Sequence, residues 1–193
     1  MMRFIAAALA LTLVLGMSRL GAAEDTAVDL KVGEKAPAFE AQDDQGKPWK
    51  SADHVGKKII VVYFYPADFT GGCTKQACGF RDDMQKIAGK DVEVVGISGD
   101  SAKNHEMFKK HHMLNFTLLA DENGAVAKKF GVPLKDGGEY EVKELGTKIR
   151  RGVTASRWTF VIDKDGKIAH KNTKVNAAQD SKDILQTVEK LSK

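Results

Sequence analysis

Two cysteines, Cys73 and Cys78, are the only thiols in this 193-residue chain, and they lie five positions apart. The surrounding run is Tyr-Phe-Tyr-Pro-Ala-Asp-Phe-Thr-Gly-Gly-Cys-Thr-Lys-Gln-Ala-Cys, residues 63–78. Pro66 ends an apolar stretch, and Gly71-Gly72 let the backbone turn sharply and keep the Cys73 sulfur accessible. From Cys73 to Ile87, Ala77, Phe80, Met84 and Ile87 recur at helical spacing. Cys73 therefore sits where a loop becomes a helix, and unpaired N–H groups and the positive end of the helix dipole favour a thiolate there. Thr70, three residues earlier, places a hydroxyl within reach of that sulfur or of a bound oxygen. Residues five apart in an intact helix have Cα atoms roughly 8.6 Å apart, from the rise and radius. A disulfide tolerates about 7 Å at most. The two sulfurs can join only if the first turns unwind, so any shared redox chemistry is coupled to local unfolding. A bridge across so short a loop would restrain the unfolded chain little, which favours a chemical role over a structural one.

The elements that must position these residues alternate. The run 58–65, Lys-Ile-Ile-Val-Val-Tyr-Phe-Tyr, reads as a central strand buried on both faces. Further strands are expected over 92–97, 116–119 and 158–162. Helices are expected over 101–112 with Ser101 as the cap, over 125–130, and over 180–191. Residues 43–47 carry turn chemistry between two short strands, and Asp163-Lys164-Asp165-Gly166 is a hairpin turn. Residues 134–152 are polar and glycine-bearing and read as a loop or irregular hairpin. The pattern gives an α/β fold with a mixed central sheet flanked by helices on both faces. A cysteine at the helix after the first long strand gives it a thioredoxin-like arrangement.

Residues 1–23 have a basic head at Arg3, an apolar stretch from Phe4 to Met17 and small residues ending at Ala23. That order predicts a secretory signal peptide, with the functional domain at 24–193 and a periplasmic or secreted location. The apolar stretch is short for a span of about 20 residues, so no stable membrane association is expected after processing. The whole chain has 30 basic and 26 acidic residues, net +4. Losing Arg3 and Arg19 leaves 28 against 26, net +2. The lysines are scattered, which argues against a nucleic-acid partner.

The residues around Cys73 resemble the active-site loop of the peroxiredoxins, through Pro66-x-x-x-Thr70-x-x-Cys73. The flanking Tyr-Phe-Tyr-Pro and Cys-Thr-Lys-Gln-Ala-Cys-Gly-Phe-Arg-Asp are similar to the bacterioferritin comigratory protein, or Q-type, subfamily. So are residues 94–98, 115–121, 130–132 and 157–163, and the likeness runs from about Val32 into the C-terminal helix. This resemblance implies a thioredoxin-dependent thiol peroxidase of the atypical two-cysteine type, acting on hydrogen peroxide and organic hydroperoxides. It implies that Cys73 is the attacking thiolate, and that Thr70 and the Cys73 N–H orient the peroxide. The resemblance further implies that Arg157 stabilises thiolate and oxygen charge and that Pro66 shields the site. It implies that Cys78 resolves the Cys73 sulfenic acid as an intramolecular disulfide, which a thioredoxin-like or other dithiol would then reduce. No cofactor or metal is implied, and a monomer is expected. Two positions depart from the family pattern: Gly71 replaces a common proline, and Gln76 replaces a common glutamate. Gln76 cannot act as a base and reads as a structural contact.

Other readings are weaker. A thiol-disulfide oxidoreductase on the same fold prefers Cys-x-x-Cys. A copper carrier suits soft thiolates but prefers its cysteines one residue closer and leaves Thr70 and Arg157 without a purpose. Arg81 reads as a bracing residue. His105, His111 and His112 read as solvated, since the adjacent pair cannot face one way on a helix.

Overall fold

The computed structural model describes residues 28–87 and 91–192. The proposed leader, residues 1–23, lies outside the described residues. Two short strands open the fold, β1 (Glu40–Asp43) and β2 (Pro48–Lys50), followed by β3 (Ile59–Phe64) and α1 (Gly71–Ile87). Next come β4 (Val92–Ser98), α2 (Ala102–His112), β5 (Thr117–Ala120) and α3 (Ala125–Lys129). A hairpin of β6 (Leu134–Val142) and β7 (Thr147–Ala155) leads into β8 (Trp158–Ile162), β9 (Ile168–Asn172) and α4 (Asp180–Leu191).

The described strands form a seven-stranded sheet in the order β2-β1-β5-β4-β3-β8-β9. The strands β3, β4 and β5 run parallel, while β8 pairs antiparallel with β3, and β1 antiparallel with β5. Every residue of β3 is buried, because the alternation along it feeds two cores. Ile59, Val61 and Tyr63 face α1, α2 and α4 through Phe80, Phe108, Ile184 and Val188. Ile60, Val62 and Phe64 face α3 through Val126 and Phe130. Tyr63 stacks on Phe80 with ring centroids 4.9 Å apart, fixing the Cys-bearing helix to the central strand. Both sequence-predicted turns use one device. The Asp43 carboxylate accepts the N–H groups of Gln45 and Lys47, and Asp163 does the same for Asp165 and Lys167.

Of the loop or irregular hairpin expected over residues 134–152, the structure has the hairpin, longer than expected. It is two nine-residue strands paired antiparallel from Leu134↔Ala155 to Val142↔Thr147, with a break at Gly137. Their polarity misled the periodicity because most of the hairpin stands clear of the main sheet, with only Val142, Ile149 and Ala155 buried. The hairpin docks through glycine. Gly152 N–H donates to the Gly99 carbonyl at 2.8 Å. A Cβ on Gly99 would lie 2.1 Å from the Val153 carbonyl oxygen. The backbones approach that closely only because no side chain intervenes. Among the described residues no helix is long and apolar enough to cross a membrane.

Gly99→Ala is expected to destabilise the fold by about 1–3 kcal/mol, the usual cost of overpacking. Urea unfolding should show a lower midpoint at unchanged slope. An unchanged midpoint would mean that the hairpin docks loosely.

Candidate active site

Tyr65 follows β3, and residues 66–70 carry the chain from the sheet to α1. The helix starts at Gly71, two residues earlier than the sequence predicted, so Cys73 lies in its first turn. Thr74 N–H is the first to find a helical acceptor, on Thr70 O at 2.8 Å. Thr70 thus occupies the cap position. The N–H groups of Gly71, Gly72 and Cys73 are the unpaired donors that every helix start leaves. The Thr70 hydroxyl donates to Ala67 O at 3.2 Å and not to the sulfur. This leaves its lone pairs available to a donor from outside.

Cys73 is buried in one apolar cluster with Tyr63, Tyr65, Phe69 and Ala77, which corrects the accessible sulfur expected from Gly71-Gly72, since both glycines are taken up in the helix. Its polar partner is Arg157, in the two-residue link between β7 and β8, whose Nη2 lies 3.2 Å from Sγ. The other arm of the guanidinium, Nη1, donates to Gln76 Oε1. Gln76 Nε2 in turn donates to Asp180 Oδ2 at 2.7 Å, and Thr159 Oγ1 donates to the same oxygen at 2.8 Å. Burial pushes the Asp180 carboxyl above the usual carboxylate range. The chain Cys73–Arg157–Gln76–Asp180–Thr159 therefore joins α1, β8 and α4 behind the sulfur. Gln76 is the structural contact expected of it, and it aims Arg157. The fork geometry matters here, because a guanidinium reaches sulfur and amide together where an ammonium is one point charge.

The loop bearing Pro66 and Thr70 is fixed from below by a buried polar network that sequence reasoning missed. Phe69 holds a left-handed φ of 56°, a costly conformation for a side-chain-bearing residue. Its neighbour Asp68 is fully buried. Asp68 Oδ1 accepts from Tyr65 Oη at 2.8 Å, and Oδ2 meets His105 Nδ1 at 2.8 Å. Asp68 N–H donates to Asp100 Oδ2 at 3.0 Å. Tyr140 Oη, from the β6–β7 hairpin, is 3.0 Å from both the Asp68 carbonyl and Asp100 Oδ1. The expectation of a solvated His105 is thus corrected: its side chain is wholly buried, and Nε2 faces Leu119 O at 3.1 Å. A carbonyl only accepts, so Nε2 carries a proton, and Nδ1 and the Asp68 carboxyl share a second one between them, burial raising Asp68 as well. Burial opposes charge on His105 most strongly, yet the charge and hydrogen bond of Asp68 together raise it above the ordinary histidine value. No periodicity marks such a pair. The only signal was an aspartate inside an otherwise apolar loop.

Cys78 is half-buried, and the intact helix holds it away from Cys73; both are free thiols. Burial pushes its thiol up, so it rests in the protonated form. Arg81 braces, as expected: Nη1 donates to His112 O at 2.7 Å and Nε to Asp82 at 2.8 Å. The structure brings Arg157 to Cys73, with Thr70 at the cap of the same helix, Pro66 at the start of the preceding loop and Cys78 farther along α1.

Residues 32–171 match the model of the AhpC/TSA family. The chain belongs to that family. It is 37% identical over 163 residues to peroxiredoxin Bcp of Bacillus subtilis, covering 84% of this chain and 98% of that one. It is 42% identical to a putative peroxiredoxin bcp of Coxiella burnetii, covering 74% of this chain and 87% of the relative. Peroxidoxin BcpB of Mycobacterium tuberculosis superposes with a TM-score of 0.71 at 30% identity, covering 84% and 99%. The expected thioredoxin-like fold is the fold found, and the enzyme is a peroxiredoxin, a thiol peroxidase of the Bcp/Q type.

Gly71 is the first helical residue, where proline is well suited, and a Cβ there would meet nothing within 4 Å. Gly71→Pro should therefore stabilise the fold by about 0.4–1 kcal/mol in denaturant unfolding. A loss of stability would mean that the loop needs glycine's freedom.

The His105–Asp68 pair carries a pH signature. The His105 side of the contribution is complete below about pH 6.5, the unfolded histidine value, and towards acid pH it is Asp68, which burial holds above its ordinary value, that takes up a proton and ends the ion pair. The His105 side fades as pH rises through the elevated folded value. The His105 ring resonance is expected to titrate above 6.5 in proton NMR; titration below it would place the proton elsewhere.

Proposed function

We propose that this chain is an exported, monomeric thiol peroxidase that reduces hydrogen peroxide and organic hydroperoxides at Cys73 and resolves through Cys78. The observation that carries the reading is the Arg157 guanidinium 3.2 Å from the Cys73 sulfur, at the amino end of α1. A permanent positive charge and free N–H donors meet there, at the place where negative charge starts on sulfur and ends on oxygen.

In this mechanism the Cys73 thiolate attacks the near oxygen of R–O–O–H. An S–O bond forms, the O–O bond breaks, and Cys73–S–OH and an alkoxide result. The alkoxide takes a proton and leaves as R–OH, or as water when R is hydrogen. Arg157 follows the charge from sulfur towards the departing oxygen. The free Cys73 N–H and the lone pairs of Thr70 hold the peroxide, and Pro66 limits water. The sulfenic acid then condenses with Cys78, losing water and forming a Cys73–Cys78 disulfide. Because both sulfurs sit on one helix at roughly 8.6 Å Cα separation, this step follows unwinding of the first turns of α1. Unwinding also exposes Cys78 and removes the burial that holds its thiol protonated. A thioredoxin-like dithiol restores both thiols by exchange. Export rests on the leader-like order of residues 1–23.

The test is peroxide consumption by the parent, Cys73→Ser and Cys78→Ser with a dithiol reductant. Cys73→Ser should abolish turnover. Cys78→Ser should consume one equivalent and then recycle slowly. Full activity in Cys73→Ser would overturn the assignment.

A further inference from the structure

His111 and His112 close α2 on neighbouring positions, which diverge by about 100° around a helix. On the sequence alone that divergence argued for two solvated rings. The tertiary fold brings a third group to both. Glu144, in the short 3₁₀ turn Lys143–Leu145 between β6 and β7, points Oε2 to 3.4 Å from His111 Nε2 and 3.8 Å from His112 Nε2. The three ligand-type atoms lie within 4.8 Å of one another. Both contacts exceed the usual N–H···O length of about 2.9 Å. His112 Nε2 is buried with no hydrogen-bond partner among the described residues. A buried polar atom left unmatched is costly and calls for an explanation.

The His112 ring is held in place. Phe108 packs edge-on to it at 5.0 Å, Phe69 lies at 5.8 Å, and Arg81 holds the His112 carbonyl. The His111 and Glu144 side chains are substantially exposed, at 39% and 48%, which gives a cation a route in and lets those two side chains adjust. Nitrogen and oxygen ligands bind zinc at about 2.0–2.2 Å, which sets tetrahedral neighbours roughly 3.4 Å apart. The cluster needs only small side-chain rotations to reach that spacing.

We propose that His111, His112 and Glu144 form a three-ligand site for a borderline divalent transition-metal cation of the Zn2+ type, with the remaining position open to water. Two imidazoles and one carboxylate suit such a cation, whereas calcium and magnesium require all-oxygen ligation. The site includes neither cysteine and contributes no group to peroxide chemistry. Its effect is to clip the β6–β7 turn to the end of α2. Phe69 and Arg81 link that clip to the loop before Cys73 and to α1.

The test uses the untagged full chain carrying Cys73→Ser and Cys78→Ser, so that thiols cannot bind the probe. Calorimetric titration with Zn2+ should show one equivalent bound. His112→Ala and Glu144→Gln should each weaken binding by at least about tenfold, the scale on which metal affinity responds to its ligand shells. Circular dichroism establishes that each variant is folded, and the exposed Glu144 position decides the matter if His112→Ala is not. Absence of one-to-one binding, or full binding by a folded Glu144→Gln variant, would overturn the proposal. Co2+ added to the chain with both cysteines gives an independent readout. Absorption without thiolate-to-cobalt charge transfer supports the site, and a charge-transfer band places the cation on sulfur and overturns it.

Discussion

The contact between the Arg157 guanidinium and the buried Cys73 sulfur organises the rest of the active site. A guanidinium facing a nearly enclosed sulfur must have its other N–H groups satisfied, because buried unpaired donors cost about 1–3 kcal/mol each. Gln76 accepts from the second arm, and the buried Asp180 carboxylate accepts from Gln76 and Thr159 in turn. Through that requirement α4 adds a polar contact with the helix that bears the cysteine to the apolar packing of Ile184 and Val188 against Phe80. The same requirement also gives the replacement of glutamate by Gln76 a physical meaning. An amide accepts from Arg157 and donates to Asp180 at once, whereas an ionised carboxylate there has no hydrogen to donate to Asp180.

The loop beneath Thr70 follows a different logic. Phe69 is held in a conformation that its side chain disfavours, and Asp68, Tyr65, His105, Asp100 and Tyr140 together over-determine the backbone around it. Each of these polar groups is matched, so the network is rigid rather than merely costly. It binds strand, loop, helix and hairpin to one another directly behind the catalytic turn. The glycine-mediated docking of the β6–β7 hairpin belongs to the same arrangement, since it delivers Tyr140.

The helix α1 is asked for two incompatible things. Its intact first turn gathers N–H donors and the dipole at Cys73, and it separates Cys73 from Cys78. Disulfide formation in the proposed cycle demands the opposite. A front rigidified by Arg157 and by the buried network therefore sits on a helix whose first turns must yield, and the balance between them sets how readily the oxidised thiol is resolved.

Local chemistry was legible in the sequence. The cysteine spacing, the Pro66–Thr70–Cys73 pattern, the strand at 58–65, the Ser101 cap and the two Asp-x-x-Gly turns depend on neighbours a few positions apart, where period and turn preference operate. The capping of α2 follows that expectation, with Ser101 Oγ accepting from Asn104 N–H. The long-range polar partnerships were not legible. Gln76 meets Asp180 across 104 positions, Asp68 meets His105 across 37, and Glu144 reaches the His111–His112 pair only once the hairpin has folded back. A buried charge looks like a solvated one in sequence, because the partner that makes burial tolerable is supplied by tertiary packing. The sequence by itself determined where the two thiols lie and which elements present them. Only the tertiary structure decided which polar groups hold those residues in place, since that depends on which chain segments the sheet order brings together.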